Sequence, residues 1–157
     1  MNKQNKQRLK DLELAIMKVK HPTIEERFIP LTAWSDSSAN ALTKCVVSFI
    51  NMSGGFAERI NTMGVYQQAK QVKDVDGKMR TIGKGKYIPG GSTKGSADIS
   101  ATIKGRAVKI EVKYGKDRMS ESQKEYQENT ERAGGIYYIA RDFDSFIEWY
   151  DKLISEL

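Results

Sequence analysis

The 157-residue chain has little of several things that build common functional sites. It contains one cysteine, Cys45, one histidine, His21, and three prolines. A single cysteine excludes an internal disulfide and any cysteine-built zinc site. A single histidine excludes an HExxH helix and centres that need several histidines. No apolar run approaches the roughly 18–20 residues that span a bilayer. The opening MNKQNKQRLKDLEL lacks a signal-peptide core, so a chain made and kept in a reducing cytoplasm, without membrane attachment, is expected.

What the chain has is charge. Lys and Arg number 26 against 20 Asp and Glu, a formal net charge of +6, which favours an anionic partner. Its length fits one domain with a single core, with an N-terminal helix and connector over 1–35 and the main body over 36–157. Leu9, Leu12, Ile16 and Val19 recur at helical spacing over 5–19. Pro22 and Pro30 mark residues 20–35 as a connector, in which His21 is structural. A second helix is predicted after Ser35-Asp36-Ser37, running to about Met52, with Leu42, Cys45, Val46, Phe49 and Ile50 buried. Cys45 is thus a small core residue and no nucleophile. Ser53-Gly54-Gly55 ends that helix, and FAERINTMGVY reads as a strand.

In that strand Arg59 and Asn61 share one face, a fork and an amide suited to phosphate or base contacts, or simply a solvated face. Glu58 projects to the other side. Residues 64–97 are polar and basic, with Lys70, Lys73, Lys78, Arg80, Lys84, Lys86 and Lys94 against Asp74 and Asp76 alone. They read as a basic loop or ribbon that could track a phosphate backbone, or as a solvated insertion. GGSTKGS does not match GxxxxGK[ST], so nucleotide binding is rejected.

The centre of the chain is DISATIKGRAVKIEVK, residues 98–113. Apolar residues alternate with polar ones on both sides of Lys104-Gly105, the pattern of a β-hairpin. If Ile103 and Arg106 close the turn, Asp98 lies opposite Glu111 and Ser100 opposite Lys109. Lys113 then projects from the same face as Glu111. Two carboxylates at about 5 Å repel by roughly 3 kcal/mol at an effective dielectric near 20, a pairing that stability alone disfavours. A hard divalent cation converts that cost into a binding site, because Mg²⁺ takes oxygen ligands and needs only one or two carboxylates. On spacing alone, a solvated face compensated by Lys109 and Lys113 accounts for the pattern as well.

After the hairpin, Ser120 and Gln123 fit a capping box that starts a helix ending at Ala133-Gly134-Gly135. IYYIA, 136–140, is a short buried strand. A last helix from about Asp142 to Glu156 buries Phe146, Trp149, Tyr150, Leu153 and Ile154.

With GSAD (95–98), EVK (111–113) and Gln123 in this order, the chain resembles the PD-(D/E)XK nuclease superfamily, and within it the viral-type replication and repair (VRR-NUC) domains of phages. The likeness extends from about Ala39 to Tyr150 through GGFAERINTMGVY, KGSADISATIKGR, KIEVKYGKDRMSESQ and AGGIYYIARDFDSF. It implies an α/β fold with a mixed sheet: a restriction-endonuclease-like core of helix, strand, hairpin, helix and strand, flanked by N- and C-terminal helices. It implies that Asp98, Glu111 and the Val112 carbonyl hold Mg²⁺, with Mn²⁺ able to substitute. It implies that Lys113 orients or helps deprotonate the attacking water, or stabilises charge on the scissile phosphate, and that Gln123 lies beside the site, where its capping role competes unless its side chain swings. Tyr126 is one turn further along the helix.

Many relatives carry a glutamate in the helix before the first strand, yet Ser37–Met52 has no acid. Glu58 from the strand, or Asn40 or Asp36, is the available substitute, so one principal metal site is expected. GIYYIA invites comparison with GIY-YIG endonucleases, but Ile147-Glu148-Trp149 does not supply the second motif. The resemblance thus implies a Mg²⁺-dependent DNA endonuclease of phage replication, repair or recombination, with DNA contacts from Arg59, Asn61, Lys84, Lys86, Lys94 and Tyr126. Symmetric cutting of both strands would require a homodimer. The alternatives are a non-catalytic nucleic-acid-binding module and an RNA-processing nuclease.

Overall fold

The computed structural model describes residues 1–61, 64–88, 90 and 93–157. Thr62 and Met63 of the expected first strand, and Pro89, Gly91 and Ser92 of the expected basic loop, lie outside the described residues. The chain folds as α1 (Lys3–Lys20), a 3-10 turn (Glu26–Phe28), α2 (Ala39–Met52), β1 (Phe56–Arg59), β2 (Val65–Gln67), β3 (Lys70–Lys73), β4 (Met79–Ile82) and β5 (Lys86–Ile88). It continues with β6 (Ile99–Ile103), β7 (Arg106–Val112), α3 (Glu121–Arg132), β8 (Ile136–Ala140) and α4 (Phe143–Glu156). The result is a mixed α and β architecture, as expected from the alternation of helical and period-two segments.

The central sheet runs β1-β6-β7-β8. Its first three strands are antiparallel, and β8 joins β7 in parallel after the α3 crossover. The β6–β7 register pairs Ile103 with Arg106 and Ile99 with Ile110, which is the predicted pairing. Lys104 (φ 49°) and Gly105 (φ 79°) both take positive φ, the requirement of a two-residue turn that matches strand twist.

Alternation along β6 and β7 divides the sheet into two unlike faces. Ile99, Ala101, Ile103, Val108, Ile110 and Val112 are buried, on the face packed by α2. There Phe49 meets Phe143, Phe146 and Tyr150 edge-on at centroid separations of 5.8, 6.0 and 5.1 Å, geometry that aromatic quadrupoles favour. Ser100, Lys109 and Glu111 occupy the intervening positions and face the side covered by α3. Gln123 of α3 bonds to Glu111 there, and Tyr126 meets Tyr137 edge-on.

The N-terminal helix belongs to this core. Leu9 is fully buried in the same cluster as α2 and α4. The Glu13 carboxylate accepts hydrogen bonds from Thr32 N, Thr32 Oγ1 and Trp34 Nε1, binding the connector to α1. Cys45 is buried and donates to the Ser35 carbonyl, and burial pushes its thiol up to about 11, as suits a core residue.

Two expected boundaries shift. α2 is capped by Ser38, whose hydroxyl accepts from Ala41 N, and just before it Ser37 N donates to Ser35 Oγ. The strand expected over FAERINTMGVY is shorter: β1 ends at Arg59, and the stretch from Val65 pairs elsewhere, because β2 with β5 and β3 with β4 form two separate ribbons. Within residues 64–97 the chain thus forms two exposed ribbons over 64–88, an arrangement that a phosphate-tracking ribbon and a solvated insertion share.

Phe49→Ala should lower the free energy of unfolding by about 3–5 kcal/mol, the range for deleting a fully buried phenylalanine. Urea denaturation checks this; a loss below 1 kcal/mol would mean that the aromatic cluster does not centre the core.

Candidate metal and phosphate site

Asp98 sits where β6 begins, and its backbone is pinned there by Ile60 N, which donates to the Asp98 carbonyl at 2.7 Å. Its carboxylate Oδ2 accepts from Val112 N at 3.0 Å. Asp98 is thus held one register step beyond the Ile99–Ile110 pair, level with Glu111. In a strand the N–H and C=O of one residue point to the same side, so the Val112 carbonyl is directed to that edge of β7 as well. Lys113 N instead reaches across to the Ala140 carbonyl, closing the β8 side.

Glu111 is 2% exposed and Lys113 5% exposed, an unusual burial for two charged groups. Their pairing explains it. Lys113 Nζ lies 3.1 Å from Glu111 Oε1 and donates to Gln123 Oε1 at 2.9 Å. Gln123 Nε2 donates to the same Glu111 Oε1. Gln123 Oε1 also accepts from Ser120 N at 2.9 Å while Ser120 Oγ accepts from Gln123 N. Capping and site contact are therefore made at once by one rotamer, and no swing is needed. Rotating the amide by 180° would set its NH₂ against two other donors, Lys113 Nζ and Ser120 N, so this orientation is the one that satisfies all partners.

These contacts use one carboxylate oxygen of Glu111. The other, Oε2, is buried and makes no hydrogen bond of good geometry among the described residues; the same is true of the Tyr137 hydroxyl, whose one side-chain partner is a weaker interaction with Glu111. Burial first, and then the charge of Asp98, push the Glu111 carboxyl up to about 7, against the opposing effect of Lys113. Burial, with the Glu111 and Asp98 charges, pushes the Tyr137 hydroxyl up as well. This carboxylate oxygen beside a second carboxylate makes a pair of hard oxygen donors, a donor set that fits Mg²⁺ or Mn²⁺.

The backbone around the site is equally constrained. Gly95 has φ +81°, and a Cβ placed there would come within 2.1 Å of the Ser122 carbonyl oxygen. The segment leading into Asp98 therefore lies flush against the first turn of α3, which carries Gln123. Only glycine permits that approach.

The other candidate residues are distributed less tightly. Glu58 is exposed and pairs with Ser100, on the same sheet face as Asp98 and Glu111 but one register row away. Lys109, also in that row, donates to Ser100 Oγ at 2.7 Å. Among the described residues no group of three or more His, Cys, Asp or Glu side chains is placed to hold a metal, so Glu58 does not complete the pair in this arrangement. Arg59 lies on the opposite face, lining a shallow depression with Asn40, Thr43 and Lys44 of α2. Asn61 follows β1 outside any strand, and Tyr126 packs edge-on against Tyr137 at 6.4 Å. Lys84, Lys86 and Lys94 are exposed on the segment between β1 and β6. Asp98, Glu111, Val112, Lys113 and Gln123 come together; Arg59, Lys84, Lys86 and Tyr126 are not part of that cluster.

Two participants were not singled out from the sequence. Tyr137 shares the site face because it pairs with Lys109 in the parallel β7–β8 ladder. Asp117 Oδ2 lies 3.7 Å from Lys113 Nζ. Alternation in IYYIA carries a signal for Tyr137, but only once the parallel register is known.

Compared with known proteins, the chain matches no family model and no curated protein.

The raised Glu111 pKa has a sign that can be checked. Below about 4.5 the carboxyl is protonated folded or unfolded, and its contribution is intact. As pH rises through about 7 that contribution is lost, because the unfolded chain releases the proton first. In chelator, Glu111→Gln should therefore match the wild type near pH 4.5 and exceed it by roughly 3 kcal/mol above pH 7. Thermal or urea unfolding across that range tests it; a difference independent of pH would contradict it.

Proposed function

We propose that this chain is a metal-dependent nuclease of the PD-(D/E)XK type, similar to the VRR-NUC domains of phages, which hydrolyses DNA phosphodiester bonds in replication, repair or recombination. The observation that carries this reading is the convergence of Asp98 and Glu111 beside buried Lys113, with one Glu111 oxygen making no hydrogen bond of good geometry among the described residues. Asp98 and Glu111, with the Val112 carbonyl, are the residues that would hold Mg²⁺ or Mn²⁺. When bound, the cation supplies Lewis-acid polarisation of the phosphoryl group.

The remaining roles fall to the chain's own side chains. Lys113 presents a fixed cation for charge developing on the scissile phosphate, and a preorganised charge in a dry site is worth more than one in water. Glu111 Oε1 and Gln123 Oε1 hold its Nζ in place. Gln123 is a positioning residue: it orients both Glu111 and Lys113 while starting α3.

A second reading, a nucleic-acid-binding module without catalysis, is favoured by the lack of a third acid beside the pair among the described residues. It predicts binding that chelator and Asp98→Ala leave unchanged. An RNA-processing nuclease would use the same residues and differs only in substrate.

The test is a cleavage panel of supercoiled, nicked, flapped and junction DNA, with RNA counterparts, in Mg²⁺ or Mn²⁺. Cleavage is expected to vanish in chelator and in Asp98→Ala, to fall about 10²–10³-fold in Lys113→Ala, and to fall about 10–100-fold in Gln123→Ala. No cleavage of any substrate would overturn the nuclease reading. Metal alone should also stabilise the fold, by about 2.7 kcal/mol at one hundred times its dissociation constant. That gain should grow as pH rises to about 7, because the cation competes with the Glu111 proton.

A further inference from the structure

Between Ile60 and Asp98, neighbours in the sheet, the chain leaves the core, and residues 64–88 build the two ribbons β2–β5 and β3–β4. Every residue of β2, β4 and β5 is exposed, as are all of β3 except Val72. A two-stranded ribbon whose faces, Val65 and Ile88 included, stay exposed is marginal in water. Its side chains are therefore free for a partner.

The charge of the arm selects an anionic one. Residues 64–88 carry six basic and two acidic side chains, four of the six net positive charges of the whole chain. Asp74 is used internally: it pairs with Arg80 at 2.7 Å and accepts from Asp76 N and Lys78 N in the tip turn. Among the described residues Lys70, Lys73, Lys84 and Lys86 have no ion-pair partner.

The arm also presents two aromatic rings. Tyr66 and Tyr87 are directly opposed in register, so both project from one face, and each is 63% exposed. Each ring closes over a glycine of the other strand. A Cβ at Gly85 would meet Tyr66 Oη at 2.2 Å, and one at Gly64 would meet the Tyr87 ring at 2.2 Å. The glycines thus let the two rings settle on the ribbon with their outer surfaces in solvent. Lys86 projects from the other face of the ribbon, so the tyrosine face offers stacking surface within a positive field, which suits single-stranded nucleic acid, since each base offers a π-face and each nucleotide a phosphate. Paired bases inside a duplex keep those faces covered.

We infer that the ribbon arm is a binding surface for an unpaired nucleic-acid segment, with Tyr66 and Tyr87 stacking on bases and the net positive charge of the arm, Lys84 and Lys86 included, attracting its phosphates. The inference rests on the nucleic-acid reading above and deepens it. Because the arm leaves and rejoins the sheet at Ile60 and Asp98, a strand held on it is tethered to the candidate metal site.

The test is fluorescence anisotropy in chelator, which removes cleavage, using a labelled oligothymidylate and a blunt duplex of equal length. Tyr66→Ala/Tyr87→Ala should lose about tenfold or more in affinity for the oligothymidylate and change little for the duplex, while Tyr66→Phe/Tyr87→Phe should retain both. Lys84→Gln/Lys86→Gln should lower the slope of log affinity against log salt. The unfolding midpoint of the core should be the same in all these variants, which controls for folding. Undiminished oligothymidylate binding by the alanine double variant overturns the inference. So does a wild-type dimer, seen by sedimentation, that this variant dissociates without loss of binding, since the rings would then serve a second copy. Cleavage with Mg²⁺ alongside unaffected binding would refute the arm alone; normal arm binding without cleavage of any substrate would refute the nuclease alone.

Discussion

A glutamate buried beside an aspartate is the constraint on which the rest of this structure depends. Glu111 is nearly sealed from solvent, and its ionised form gains only partial relief from Lys113. Burying an ion pair costs several kcal/mol per charge unless geometry and additional hydrogen bonds restore it. Gln123 supplies those hydrogen bonds, bridging acid and base with the two ends of one amide. What it does not supply is a partner for Glu111 Oε2. A cation there is our proposal.

The surrounding fold reads as a device for maintaining that arrangement. The apolar face of the hairpin is locked to α2, which fixes the register that brings Asp98 level with Glu111. The polar face is roofed by α3, whose first turn is placed by the capping box on one side and by the close approach of Gly95 on the other. The parallel strand β8 then brings Tyr137 beneath that roof. Rigid elements on both sides of a site keep its groups within the small tolerances that catalysis or metal binding needs.

Much of this was legible in the sequence because it follows from local periodicity. Alternation on either side of Lys104-Gly105 gives the hairpin, and the turn length gives its register. The helices follow from apolar spacing and from caps, although the position of a cap among Ser35, Ser37 and Ser38 is decided by tertiary contacts. Non-local facts were harder. That Gln123 caps a helix and touches Glu111 simultaneously depends on the distance between α3 and β7, which no sequence spacing contains. That Arg59 faces α2, away from the acids, follows from alternation, but its separation from the site needs the β1–β6 pairing. The tyrosine platform of the arm depends on a ribbon register between Val65–Gln67 and Lys86–Ile88, across an insertion whose composition reads equally as loop. Glu58 shares the site face but not its row, and that one-row offset is all that separates a third ligand from a neighbour.

The most direct measurement is isothermal titration of Mn²⁺ and Mg²⁺ into the metal-free protein and into Asp98→Asn, Glu111→Gln and Glu58→Gln. One principal site per chain is predicted, lost in the first two variants and kept in the third. Binding that survives in both Asp98→Asn and Glu111→Gln would contradict the account.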